Sequence, residues 1–430
     1  MDSEEKKASR ETSSDVEQAP SIKIQPQGTA AHTFLEGGRR AWLSVLGAWC
    51  VMFFTFGYLN AFGVYEAYYI EGPLKNHTPS EIAWIGSVQF FTLFSFGLIS
   101  GPINDRFGPR VLIIPFSLTL TLSVMLTSLC TKYYQFILCQ GILGGISQGM
   151  IYSPAASVIG HYFQKKRPLV MGIIVSGSAT AGIILPIALN QLLNHTDLGF
   201  GWSQRIIGFI ILPLALTACF TIKAGVEPRK GTYFLPEAFK KPAFSFQVAG
   251  LFLVCWGIFT PFFYLPTYAQ QHGMSVTMSF YLITILNAGS FVGRLLAGGL
   301  GVRIGQFNVL SIGCTICSIL IFSWLKVQTN WSLIVFSLFY GIFSGAVIGT
   351  MISTLVQTAP HPSQMGTYLG MASGFLGLAS LTGTPITGAM IAHWHGYFEA
   401  IVFSGVCGLA GSALIFCTRV AYGGKKAFVV

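Results

Sequence analysis

Charge is what this chain has least of. Of its 430 residues, 9% are Asp, Glu, Lys or Arg, against about 25% in an ordinary soluble domain. The first 40 residues hold 13 of the 40 charged side chains, which leaves 27 for the other 390. Apolar residues make up 52%. This balance excludes a soluble globular enzyme and, beyond the polar start, a disordered chain. Several motifs are missing as well. There is no Gly-rich phosphate loop ending in Lys, so ATP is not the expected driving force. There is no basic patch interleaved with aromatics, so the net charge of +10 does not point to nucleic acid. The nine cysteines all fall in or at the ends of apolar runs, which implies no disulfide framework. Cys314 and Cys317 share one apolar helix without the further ligands a metal needs. Neither a metal nor a cofactor is expected.

What the sequence does contain is a series of apolar runs, each near the roughly 20 residues that cross a bilayer as a helix. Twelve are expected: Trp42–Glu66, Ile82–Gly101, Val111–Cys130, Tyr134–Gly160, Pro168–Gln191, Arg205–Lys223, Ser245–Ala269, Thr277–Gly301, Phe307–Lys326, Trp331–Val356, Met365–Ile391 and Phe398–Arg419. Runs such as Ile206–Leu216 do not alternate, so a membrane barrel is excluded. The segment before Trp42 lacks an apolar core and reads as a disordered tail rather than a cleaved signal. With the N-terminus in the cytosol, 20 of the 25 Lys and Arg fall inside, four fall outside, and Arg294 lies within a span. The positive-inside rule therefore predicts both termini cytosolic. The sequons at Asn76, Asn194 and Asn330 then all face outward, and Asn76 has the loop best suited to glycosylation. Without an organellar address in the tail, the plasma membrane is the expected location.

Several features recur at one distance. Gly101–Gly108 returns as Gly298–Gly305, 197 residues on; Gly141, Gly145 and Gly149 return as Gly341, Gly345 and Gly349, 200 on; Pro186 returns as Pro385, 199 on. A period of six spans keeps both copies pointing the same way, as in transporters built from parallel repeats. The expected fold is an all-α membrane protein of twelve transmembrane helices in two parallel six-helix repeats. The expected divisions are a tail over 1–41, a first half over 42–223, a linker over 224–244, a second half over 245–419 and a tail over 420–430. The Gly rows suit close helix packing, which in lipid depends on small residues.

The segment Gly101-Pro-Ile-Asn-Asp105-Arg106-Phe-Gly108-Pro-Arg110 resembles the loop motif of the major facilitator superfamily. That resemblance implies that Asp105, Arg106 and Arg110, with Arg167 and Arg303 nearby, form a cytosolic gate. In the second copy Val302 stands where the acid would be, which implies a weaker latch. Glu36-Gly-Gly-Arg-Arg-Ala-Trp42 and Tyr162-Phe-Gln-Lys-Lys-Arg167-Pro-Leu-Val-Met-Gly172 are similar to signatures of the monocarboxylate porter branch, and Leu59-Asn-Ala-Phe-Gly-Val-Tyr65 and Gly383-Thr-Pro-Ile386 to its fungal members. The resemblance covers roughly Glu36 to Arg419.

Arg294 is the clearest site candidate. An ionisable group deep in a span costs at least about 2.5–3.5 kcal/mol and marks function by default, and a guanidinium binds carboxylates bidentately. The resemblance implies a substrate-binding Arg in this eighth span. It also implies a first-span Lys and an Asp four residues before the Arg, but Asn60 and Ser290 occupy those places. Proton coupling by that route is not expected, and Glu66 is the acid left to consider. Asn60, Tyr65, Gln89, Gln148, Tyr152, Ser176, Asn287 and Ser290 are further cavity candidates, with Phe262 and Tyr264 just after the helix-breaking Pro261. The expected activity is transport of a carboxylate or related organic anion by alternating access. The alternative is a neutral solute or the export of a fungal secondary metabolite. The expected partners are a small-molecule substrate and the lipid bilayer, with protons as a candidate co-substrate. An enzyme would need clustered acids, His or Cys within the spans.

Overall fold

Lipid offers no partner to a backbone N–H or C=O, so a chain this apolar satisfies its backbone within helices. A computed structural model describes residues 37–194, 196–225 and 233–423. Most of the expected N-terminal tail, Glu36 of the first signature, part of the linker and residues 424–430 lie outside the described residues. Among those described, all regular structure is helical. Twelve helices have membrane length: α1 Arg39–Glu71, α2 Pro79–Phe107, α3 Arg110–Thr127, α4 over 133–162, α5 Arg167–Asn194, α6 Gly199–Thr221, α7 Pro242–Gln271, α8 Val276–Ile304, α9 Gln306–Ser323, α10 Asn330–Gln357, α11 Met365–Trp394 and α12 Phe398–Gly423.

Eleven of the twelve are long and apolar enough to cross a membrane on those grounds alone. The exception is α4, which opens through a π segment, Ile137–Gly144. From Gly145 to Tyr162 all its residues except Ile146 are buried, among them Ser147, Gln148, Ser153 and Ser157. A helix surrounded by other helices needs no lipid-facing apolar stripe, so its polar content is tolerated.

The helices that begin each expected repeat are interrupted at matching places. Backbone angles depart from helix at Ala61 (φ −83°, ψ −3°) in α1 and at Phe259 (φ −86°, ψ −13°) in α7, 198 residues apart. The second break comes immediately before Thr260-Pro261, where proline supplies no amide to the turn behind it. The N-caps of α2 and α8, Thr78 and Ser275, stand 197 residues apart, each accepting the amide three residues on. Interrupted helices in corresponding positions line binding sites in many transporters.

The glycine rows pack helices within each group. Gly145 and Gly149 lie on Gln89 and Leu93 of α2, and Gly341 and Gly345 lie on Leu286 and Ser290 of α8. Other glycines join the two groups of helices. Gly101 of α2 meets the backbone of Gly366 and Gly370 of α11, and Gly172 of α5 meets the backbone of Arg294 and Gly298 of α8. These two seams lie at the end of the bundle that carries most Lys and Arg, referred to below as the basic end.

Candidate functional site

Between α1–α6 and α7–α12 lies one narrow central cavity. Its walls are Met52, Phe56 and Asn60 of α1, Phe90 and Phe94 of α2, Tyr152 of α4, Val175 and Ser178 of α5, Phe259 and Phe262 of α7, Arg294 of α8, and Ile348, Met351 and Ile352 of α10. Ten of these fourteen are apolar. Toward the end opposite the basic one, Phe90 meets Phe259 and Phe263 with ring centroids 5.8 and 6.1 Å apart. Asn60 reaches the wall because it is the last residue before the break at Ala61. Tyr152 stands edge-on to Phe56 at 5.0 Å and to Phe94 at 6.4 Å.

Arg294 is 2% exposed. Its Nη1 donates to the Val175 carbonyl at 2.7 Å and to Ser178 Oγ at 2.5 Å, both on α5. Nε is buried without a hydrogen-bond partner. Among the described residues no carboxylate pairs with this guanidinium. A buried cation without a counter-ion is costly, and an incoming anion would offset that cost. Gly349 of α10 packs closely on the stem of Arg294, where a Cβ would lie 3.3 Å from its Cγ.

Of the expected site residues, Asn60, Tyr152, Phe262 and Arg294 come together on this wall. The others are engaged elsewhere. Tyr65 donates to Gln204 Oε1 at 2.6 Å, which in turn reaches Tyr58. Gln89 donates to Gln148, and Gln148 to the Thr55 carbonyl inside the π segment Phe53–Gly57 of α1. Ser176 accepts from Trp49 Nε1 at 3.3 Å. Tyr264 donates to the Thr384 carbonyl on α11. Asn287 lies against Gly182 of α5, and Ser290 is covered by Gly345 of α10. The wall residues that sequence reasoning missed are apolar, except Ser178. In a membrane span an apolar side chain gives no signal of its own.

The residues expected to form a gate sit at the basic end, but Gly101–Phe107 forms the last turns of α2 rather than a loop. Asp105 is 5% exposed and accepts from Gly366 N (3.1 Å), Thr367 N (2.7 Å) and Thr367 Oγ1 (2.7 Å). These are first-turn donors of α11, where a helix N-terminus favours an anion. Arg106 lies over the Tyr233 ring at 4.5 Å. Arg110 Nε donates to the Ile222 carbonyl at 3.4 Å. Arg167 is buried and donates to the Phe163 and Gly160 carbonyls. Arg303 is exposed, as is Asn76 beyond the other end of the bundle.

The sequence profile of the Major Facilitator Superfamily matches residues 41–383. The chain belongs to the major facilitator superfamily. Within that superfamily it is 46% identical over 411 residues to the aspyridones efflux protein apdF of Emericella nidulans, covering 96% of this chain and 83% of the relative. It is 38% identical to the agnestins efflux protein AgnL12 of Paecilomyces divaricatus, covering 89% of this chain and 88% of the relative. The fujikurins efflux protein of Gibberella fujikuroi is 36% identical, covering 91% and 85%. These relatives are fungal secondary-metabolite efflux proteins, not specifically monocarboxylate porters. The major facilitator fold is shared with the solved human transporter MFSD10 (TM-score 0.66, 16% identity, 89% of this chain and 99% of that one) and with the fucose:proton symporter FucP of E. coli (TM-score 0.65, 14% identity, 87% and 98%). The chain is a multi-pass membrane transporter of a small molecule, not an enzyme.

Proposed function

We propose that this chain exports a fungal secondary metabolite with a largely apolar, ring-bearing body and one acidic group, by alternating access of two six-helix halves, 42–223 and 245–419. The observation that carries the reading is the wall itself: ten apolar side chains around a single guanidinium that has no carboxylate partner. Such a wall suits an amphipathic acid better than a short monocarboxylate, because the aromatic groups supply most of the contact area and the Arg fixes the polar end. The names of the relatives favour export over uptake. The first reading, a carboxylate or related organic anion carried by a transporter of the monocarboxylate porter type, retains Arg294 in its favour. Asn60 and Ser290 weigh against it, standing where the resembled porters carry an ionisable pair.

In this reading the basic end and both termini face the cytosol, by the distribution of Lys and Arg. The membrane is the plasma membrane, and Asn76 is the glycosylation acceptor on the outer side. The test is export from plasma-membrane vesicles of yeast expressing the chain. The panel comprises aspyridones, agnestins and fujikurins, ring-bearing carboxylic acids with their neutral amide analogues, and short monocarboxylates. Preferential movement of the acidic ring compounds is expected. Equal movement of the amides removes the anion site, and movement of short monocarboxylates alone removes the metabolite reading.

A further inference from the structure

The two seams that join the helix groups at the basic end are related by the internal repeat, yet they are fastened by opposite chemistry. At the α2–α11 seam a carboxylate, Asp105, receives the first-turn donors of α11. At the α8–α5 seam the 197-residue offset puts Val302 where Asp105 stands, and the Pro186-to-Pro385 offset puts Pro168 where Thr367 stands. The acid and the Thr367 donors are therefore missing there, although Arg167, which stands where Gly366 does, keeps its amide; without the acid the bond is not made. Closure at this seam falls instead to Arg294, whose Nη1 reaches across to the Val175 carbonyl and Ser178 Oγ.

Arg294, Val175 and Ser178 also form part of the cavity wall. The contact that fastens the seam thus occupies Nη1, one of the two terminal nitrogens a bidentate carboxylate would use, while Nε stays without a partner. We propose that Ser178, with the Val175 carbonyl, is the positioning partner that takes Arg294 from the cargo as the seam closes. With the seam open, the guanidinium is free for an anion in the cavity. With it closed, as here, Nη1 belongs to α5 and the cavity is narrow, so the hold on the anion is weakened. This gives affinity a direction: loading from the basic end, release at the other. The anion hand-over rests on the function proposed above; the seam contact does not.

The test is hydrogen–deuterium exchange of the full chain in lipid nanodiscs without cargo, read on peptides at the basic ends of α5 and α8, with export of the acidic panel compounds measured in parallel. Ser178→Ala and Arg294→Ala are each expected to raise deuterium uptake there several-fold. Ser178→Thr, which keeps a hydroxyl, is expected to exchange as the wild type does. The double variant is expected to exchange no faster than Arg294→Ala alone, because both remove one contact. Wild-type exchange in Arg294→Ala, or additive effects in the double variant, overturns the proposal. Loss of acid export in Arg294→Ala with unchanged exchange leaves the anion site standing and removes the latch. Raised exchange with undiminished acid export keeps the latch and removes the anion site.

Discussion

A guanidinium buried to 2% exposure with no carboxylate beside it makes Arg294 the residue on which the proposed transport of an acid is tested. Truncating one partner of a buried, hydrogen-bonded charge pair costs about 2–5 kcal/mol. Arg294→Ala is therefore expected to lower export of acidic cargo by roughly two powers of ten or more, with the amount of protein in the membrane unchanged on an immunoblot. Arg294→Lys is expected to restore part of the rate at best, since an ammonium lacks the planar fork that meets a carboxylate with two bonds. Vesicle export rates of the two variants side by side check both outcomes. Arg294 was legible from sequence because a charge inside an apolar run is rare and conspicuous. Its partners were not. Val175 contributes only a backbone carbonyl, and Ser178 is one of many small hydroxyl residues in α5; nothing local says that α8 comes to rest against them.

At the scale of elements, the α2–α11 seam rests on contacts with little slack. Asp105 replaced by Asn keeps an acceptor oxygen but loses the charge that the α11 N-terminus favours, worth about 0.3–2 kcal/mol. Asp105→Asn is expected to raise hydrogen exchange at the first turn of α11 and to slow export, while the resting level of protein in the membrane stays the same. Gly101→Ala acts by shape rather than charge: its Cβ would run into the Gly366 carbonyl, and backbone cannot turn away. Overpacking of this kind costs about 1–3 kcal/mol, enough to shift an open–closed balance by roughly one to two powers of ten. Export is expected to fall accordingly, and restoring space by shortening a neighbour is not available because the neighbour is itself glycine. The helices themselves were legible because lipid imposes length and apolarity on each of them. The repeat was legible in the offsets of Gly101, Gly141 and Pro186. What the sequence hid were the π segments Phe53–Gly57 and Ile137–Gly144 and the break at Ala61. Their causes are contacts between helices, and residues such as Thr55 and Gln148 show their relation only when α1 and α4 lie together.

For the whole molecule, the open question of mechanism is what drives the cycle, and the placement of the acids bears on it. The pair that couples protons in the resembled porters is replaced by Asn60 and Ser290, and neither side chain titrates. Asp105 spends its acceptor capacity on α11 at one end of the bundle. Glu66 lies toward the other end, half-buried in α1. It does not line the central cavity. A proton taken up at Glu66 would therefore not compete with cargo for Arg294, as a directly coupled antiport requires. The expected outcome is that export in sealed vesicles depends on the cargo gradient, and that collapsing the proton gradient with an ionophore leaves the initial rate essentially unchanged. Glu66→Gln is expected to behave the same way. A rate that collapses with the proton gradient in the wild type, and no longer responds to it in Glu66→Gln, would place coupling at Glu66 in α1 and make it the second working charge of the transporter.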